Sequence, residues 1–268
     1  MSRMHMSHLA AGYSLVETGQ QGLNLPSDHD DEGLAQYSSP PCFMHELDPE
    51  FRVPLSDWSE VKRWRKAERE RLIAARLAVA ADARAAMSQR IAEGLDTLIG
   101  DIDGRMVSLY WPFRGEPDLR PWMASINARG GRTALPVVID KGQPLVFRGY
   151  AQGDRLEKGV WNIPIPAEGD PVLPDIVISP IVGIDPQHYR LGYGGGFFDR
   201  TLAAMPFKPL VIGVGYELQR IATIYPQPHD IPMDRVVTEL SNPSRVCLKT
   251  RSAEADGVVF ENRSGADF

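Results

Sequence analysis

The chain has 268 residues, 43% of them hydrophobic and 24% charged, with a formal net charge of −6 at pH 7. That is enough for one large domain or two small ones with a sizeable core. It excludes a surface that as a whole attracts nucleic acid or anionic membrane, so an anionic ligand has to be captured by a local cluster of cations. No apolar run is long enough to span a bilayer, and the N-terminus lacks the basic start and apolar core of a secretory signal. Cys42 and Cys247 stand far apart, outside any metal-ligand spacing. They read as reduced thiols of a cytoplasmic protein.

Residues 1–55 hold His5, His8, His29 and His45, many Ser and Gly, and an acidic patch from Asp28 to Glu32. Their weak hydrophobic periodicity predicts a disordered or loosely docked extension. A single folded domain is expected over 56–250, with a polar tail over 251–268. Asp57, with Glu60 three residues on, resembles a capping box. It opens a helix from Val61 to about Ala80, whose apolar stripe is Val61, Trp64, Leu72, Ala75 and Val79. Met87, Ile91, Leu95 and Leu98 mark a second helix.

The texture then changes. Met106–Trp111, Ala134–Ile139, Leu145–Phe147, Asp175–Ser179, Leu210–Val214 and Val236–Thr238 read as strands. Leu119–Arg129 and Phe197–Met205 between them suit helices. Strands alternating with helices predict a three-layer α/β/α domain around a largely parallel sheet.

Arg190-Leu-Gly-Tyr-Gly-Gly-Gly-Phe-Phe-Asp199-Arg200 is the feature richest in chemistry. Four glycines within five residues, between a strand and a helix, let backbone N–H groups converge on an anion. Arg190 and Arg200 can pair with phosphate oxygens, and Asp199 can hold Mg²⁺ beside them. The bland alternative is a flexible turn, which needs fewer glycines. A Gly-x-x-x-x-Gly-Lys-Ser/Thr loop is absent, and Phe197 breaks the dinucleotide Gly-x-Gly-x-x-Gly pattern.

Arg65 and Arg69 share one helix face, with Lys66 adjacent. They form either a solvated basic face among Glu68 and Glu70 or a pair that closes over a polyphosphate. Trp111 and Phe113 offer flat apolar surfaces after a strand end, and Glu116 can bond a heterocyclic amide edge; core packing and helix capping are the alternatives. His229 and Asp230 suggest a general base or a structural pair, and Asp234 a second Mg²⁺ carboxylate or a turn cap. No Gly-x-Ser-x-Gly or Cys/His nucleophile pattern appears.

Ser179-Pro-Ile-Val-Gly-Ile-Asp185, followed by Tyr189-Arg190-Leu-Gly-Tyr-Gly-Gly-Gly-Phe-Phe-Asp199-Arg200, resembles the signature of the 5-formyltetrahydrofolate cyclo-ligase (5,10-methenyltetrahydrofolate synthetase) family. Arg65 to Arg69, Glu116 to Asp118 and Asp230 to Glu239 resemble its other motifs, in order. The resemblance implies an ATP- and Mg²⁺-dependent ligase that turns 5-formyltetrahydrofolate into 5,10-methenyltetrahydrofolate, ADP and phosphate. Carried over residue by residue, it implies catalytic roles for Arg190, Asp199 and Arg200. It implies ATP contacts from Arg65, Lys66, Arg69, Arg190, Leu191, Gly192, Tyr193, Gly194, Gly195, Gly196, Phe197 and Phe198. It implies folate contacts from Trp111, Glu116, Tyr193 and Gly194, and Mg²⁺ on Asp199 and Asp234.

The expected partners are ATP and a reduced folate, with no nucleic acid or membrane, in a monomer or weak homodimer. Family members often carry Tyr-Tyr where Phe197-Phe198 stands, and Lys where Arg65 stands. Two readings share these motifs: a non-catalytic nucleotide- or folate-binding regulator, and an ATP-dependent enzyme for a different formyl or acyl substrate.

Overall fold

The computed structural model describes residues 57–242. The predicted N-terminal extension, the C-terminal tail, His5, His8 and both cysteines lie outside the described residues. The chain opens with α1 (Trp58–Ala78) and α2 (Ala81–Ile99), then β1 (Met106–Ser108), α3 (Arg120–Ala128), β2 (Arg132–Val137) and β3 (Val146–Gly149). A short hairpin follows, β4 (Leu156–Lys158) and β5 (Pro164–Pro166), then β6 (Pro171–Val172), β7 (Ile176–Pro180), β8 (Gly183–Ile184) and β9 (Arg190–Leu191). The last elements are α4 (Phe197–Ala204), β10 (Leu210–Val214) and β11 (Arg235–Val237).

The main sheet has seven strands in the order β11-β10-β7-β1-β2-β3-β6. Pairings from β11 through β2 are parallel; β2–β3 and β3–β6 are antiparallel. The apolar strands alternate their side chains between two cores, as a sheet covered on both faces requires. Val107, Leu135, Ile176, Ile178 and Ile212 pack with Ile91, Leu95 and Leu98 of α2 and Trp122 and Ile126 of α3. Met106, Ala134, Val177 and Val211 face the other way, toward Phe198 and Leu202 of α4. This is the expected three-layer α/β/α arrangement.

The strands are shorter than their apolar runs. β1 ends at Ser108, and Tyr110 and Trp111 leave the sheet to line a cleft. Pro112 has no N–H to extend the ladder. The small pairs β4–β5 and β8–β9 went unread because two or three residues show no period.

Asp57 caps α1, its Oδ1 accepting from the Ser59 and Glu60 N–H groups at 2.6 and 2.9 Å. The buried face of α1 differs from the expected stripe. It is Val61, Arg65, Glu68, Leu72 and Arg76, while Ala75 is exposed. Leu72, with partly buried Ile73, anchors α1 to a small core with Val182, Leu191 and Ile224, beside the β8–β9 pair. Apart from Val61, the other buried residues of that face are charged.

Among the described residues, no helix is long and apolar enough to cross a membrane. Ile178, fully buried in β7, tests the sheet core. Ile178→Ala is expected to lower stability by about 2–5 kcal/mol in a urea titration with unchanged m value; a loss within noise would mean that β7 is not central.

Candidate active site

The carboxyl ends of parallel strands are where α/β sheets place ligands, and a cleft of about 830 Å³ opens there. Tyr110, Trp111 and Phe113 line it after β1, Leu135, Pro136 and Val138 at the end of β2, and Pro180 at the end of β7. The whole 190–200 segment lines it as well. α1 closes one side with Trp58, Lys62, Arg65 and Arg69, and the β4–β5 hairpin contributes Trp161, Ile163 and Ile165.

The glycine loop joins β9 to α4. Gly194 and Gly196 adopt positive φ of 93° and 62°, which side chains with a Cβ rarely tolerate. A Cβ on Gly194 would lie 3.3 Å from the Arg69 guanidinium carbon. Gly196 occupies the N-cap of α4 with no side-chain cap. The first-turn N–H groups of α4 therefore lack the usual internal acceptor, and an anion suits them.

Cations crowd this loop. Arg69 Nε donates to the Gly192 carbonyl at 2.6 Å. Burial, then repulsion from Arg65, pulls the Arg69 guanidinium below its ordinary pKa. Arg200 donates to the Gly195 carbonyl and lies over the Phe197 ring. Arg190 sits 2.7 Å from Asp199 Oδ1, and its guanidinium lies over Phe198. Burial pulls Arg190 below its ordinary value despite the Asp199 charge.

Arg200 Nε has no acceptor and Glu116 Oε1 has no donor. Buried polar atoms normally find partners. Ser108, Asn127, Ser179 and Tyr216 carry unpaired atoms away from the cleft, but Arg200 and Glu116 line it, where a polar ligand suits them.

Glu116 is 6% exposed, and its Oε2 accepts from the Phe113 N–H at 2.9 Å. Burial pushes its carboxyl up to about 7, against the opposing pull of Arg76, the Phe113 N–H and the nearby Tyr193 hydroxyl. Beside it, Phe113, Trp161 and Tyr193 form an aromatic cluster with centroids 5.8–6.5 Å apart. Trp111 meets Tyr150 edge-on, and Arg120 lies over the Trp111 ring.

Several expectations need correction. Lys66 is exposed and does not line the cleft; Lys62, one turn earlier, does. Arg65 is only 7% exposed, so the solvated-face alternative does not hold for it. It donates to the Ile224 and Tyr225 carbonyls at 2.8 and 2.9 Å and pairs with Asp230 at 2.5 Å. It thereby fixes the 224–231 loop at the cleft rim. Asp234 is not among the cleft-lining residues. Its carboxylate accepts from Val211 N–H at 2.9 Å and pairs with Lys208, so it pins β11 to β10 rather than joining Asp199. His229 Nε2 stands 3.8 Å from an Asp230 carboxylate already held by Arg65, which is no general-base geometry.

Trp161 and Arg76 escaped the sequence reading. Trp161 is 55% exposed with φ 57°, in a hairpin too short to show a period. Arg76 is fully buried, but its helical spacing from Arg65 and Leu72 could have flagged it. Among the described residues no cluster of three or more His, Cys, Asp or Glu side chains could hold a metal. Asp199 alone fits a hard cation that is shared with phosphate oxygens and water. Its Oδ1 takes both the Arg190 and Ile231 contacts, which leaves Oδ2 without a partner among the described residues.

Ionising Glu116 at this buried position is costly. Its folded pKa lies above the unfolded value of 4.5, so the folded state binds the extra proton between those values and stability falls as pH rises through about 7. Glu116→Gln is expected to stabilise the ligand-free chain at pH 8 by on the order of 2 kcal/mol and to do nothing at pH 4. Thermal melts at both pH values check this; an equal effect at both would contradict it.

The 5-formyltetrahydrofolate cyclo-ligase family model matches residues 61–239. The chain is 32% identical over 168 residues to the Escherichia coli K12 5-formyltetrahydrofolate cyclo-ligase, covering 60% of this chain and 90% of that protein. It is 27% identical over 154 residues to the Haemophilus influenzae enzyme of the same name, covering 54% and 81%. In three dimensions it is similar to an NMR structure of Aquifex aeolicus 5,10-methenyltetrahydrofolate synthetase, with TM-score 0.59, 28% identity, and 72% and 97% of the two chains covered. Motif order, cleft and these likenesses agree: the chain belongs to the 5-formyltetrahydrofolate cyclo-ligase family.

Proposed function

We propose that the chain converts 5-formyltetrahydrofolate to 5,10-methenyltetrahydrofolate with release of ADP and phosphate. One observation carries the reading: the unpaired buried polar atoms of the cleft sort by charge. Arg200 Nε lies against the glycine loop, where a triphosphate needs donors. Glu116 Oε1 belongs to the aromatic cluster, where a pterin ring offers N–H groups to an acceptor.

The residues then divide the work. Leu191 to Phe198 supply the backbone cradle for the triphosphate, with Arg190, Arg200 and Arg69 neutralising its oxygens. Arg65 contributes by holding the loop that carries Asp230. Asp199 would hold Mg²⁺, which supplies charge neutralisation on the phosphoryl oxygens during transfer. Trp111, Tyr193, Gly194 and Trp161 would enclose the folate ring, and Glu116 would accept a ring N–H as a carboxylate.

The formyl oxygen on N5 attacks the γ-phosphorus, and the bond to ADP breaks. N10 then attacks the activated formyl carbon and loses its proton to water. Phosphate leaves with the former formyl oxygen, completing the ring. Neither step needs a protein nucleophile, and no serine, threonine or cysteine lines the cleft among the described residues. Positioning and charge neutralisation carry the reaction.

The direct test mixes the protein with 5-formyltetrahydrofolate, ATP and Mg²⁺ and follows the near-ultraviolet absorbance of the methenyl product. Product that requires all three is expected; nucleotide binding without product would instead favour a regulator or a different acyl substrate. Asp199→Asn is expected to lose at least ~100-fold in turnover while keeping its circular dichroism, and full Mg²⁺-dependent activity would remove Asp199 from the metal role. Gly194→Ala forces a Cβ into positive φ against Arg69, at about 1–2 kcal/mol, and is expected to raise KM for ATP roughly tenfold. An unchanged KM for ATP would show that the loop does not hold the nucleotide.

A further inference from the structure

Arg76 of α1 is fully buried, with an exposure of 0%, yet it takes part in none of the ion pairs among the described residues. Its Nε donates to the Arg114 carbonyl at 2.9 Å, Nη1 to the Ile181 carbonyl at 3.2 Å, and Nη2 to the Tyr193 hydroxyl at 2.7 Å. A guanidinium is costly to bury unless opposite charge lies close. Among its neighbours the acid it acts on is Glu116, which is itself buried with one oxygen unpaired. The three hydrogen bonds also tie together the 113–116 turn, the end of β7 and the glycine loop.

We propose that Arg76 is a positioning residue that acts on the folate through Glu116: it fixes the turn that aims the Glu116 carboxyl into the cleft, supplies the counter-charge behind it, and orients Tyr193 beside it. The proposal rests on the folate reading above and adds a residue that does not line the cleft. Arg84 of α2 also lies beside Gly115, but it is bonded to the Leu77 and Val79 carbonyls, and Arg76 is the cation that acts on Glu116. Burial holds the hydroxyls of Tyr110 and Tyr193 neutral by raising them, and Asp118 is paired with Arg120 at 2.6 Å. Removing the positive charge takes away the largest pull against the burial of Glu116, so the protonated form, which cannot accept a ring N–H at the same oxygen, persists to higher pH.

The test is the pH profile of kcat/KM for 5-formyltetrahydrofolate in the full chain. The wild type should lose activity as pH falls through about 7. In Arg76→Met that acid limb should move up by about one unit or more. At neutral pH kcat/KM for the folate should fall about tenfold, with KM for ATP unchanged. A limb that stays in place while only the melting temperature drops would make Arg76 merely structural and overturn the proposal.

If Arg76→Met does not fold, the charge-retaining Arg76→Lys decides the matter in a cycle with Glu116→Gln. Its cost in folate kcat/KM should shrink in the Glu116→Gln background, whereas equal costs within about twofold in both backgrounds would overturn the proposal. An inactive wild type would overturn the functional reading and this assignment with it; an active wild type with an unmoved limb overturns this assignment alone.

Discussion

Arginines of α1 bonded to main-chain carbonyls hold the cleft in shape. Arg65 reaches Ile224 and Tyr225, Arg69 reaches Gly192, and Arg76 reaches Arg114 and Ile181. Each arginine reaches a different loop at the carboxyl edge of the sheet. Hydrogen bonds from a charged donor are stronger than neutral ones, and breaking one inside the protein leaves a buried group unpaired. The helix thus fixes the glycine loop, the 113–116 turn and the 224–231 rim through side chains that also make the cleft positive. Shape and charge come from the same residues.

On the proposed function, this is how a chain with a net charge of −6 would receive a polyanion. The positive charge is concentrated on one helix face and one loop, where burial weakens screening by salt. Asp199 and Asp230 temper it at fixed points. Glu116 stands apart, beside aromatic rings, and its ionised form is stabilised by a partner rather than by water. The burial of Glu116 carries a stability cost once it ionises, and shifted pKa values of this kind cluster at functional sites.

The sheet was legible because Ile176–Ile178 and Leu210–Ile212 are apolar runs that only a doubly covered strand can bury. The glycine loop was legible because its composition is uncommon and its flanking strand and helix are readable. The buried face of α1 was not. Apolar periodicity singles out Trp64, Ala75 and Val79, whereas the helix buries Arg65, Glu68 and Arg76, whose burial depends on carbonyls far away in sequence. Asp234 was misplaced because Asp230 and Ile231 beside it do border the cleft, and the chain then turns into β11. Trp161 was missed because its positive φ and short hairpin follow no period.

The central claim is that the unpaired donors of the glycine loop await a nucleotide while Glu116 awaits the other substrate. Nuclear magnetic resonance of the Arg200 Nε–H group, alongside the backbone N–H groups of Gly194 to Phe198, tests it most directly. A non-hydrolysable ATP analogue with Mg²⁺ should shift these resonances, and 5-formyltetrahydrofolate alone should leave the Arg200 signal in place. An Arg200 signal that ignores the nucleotide and moves with the folate would contradict the account.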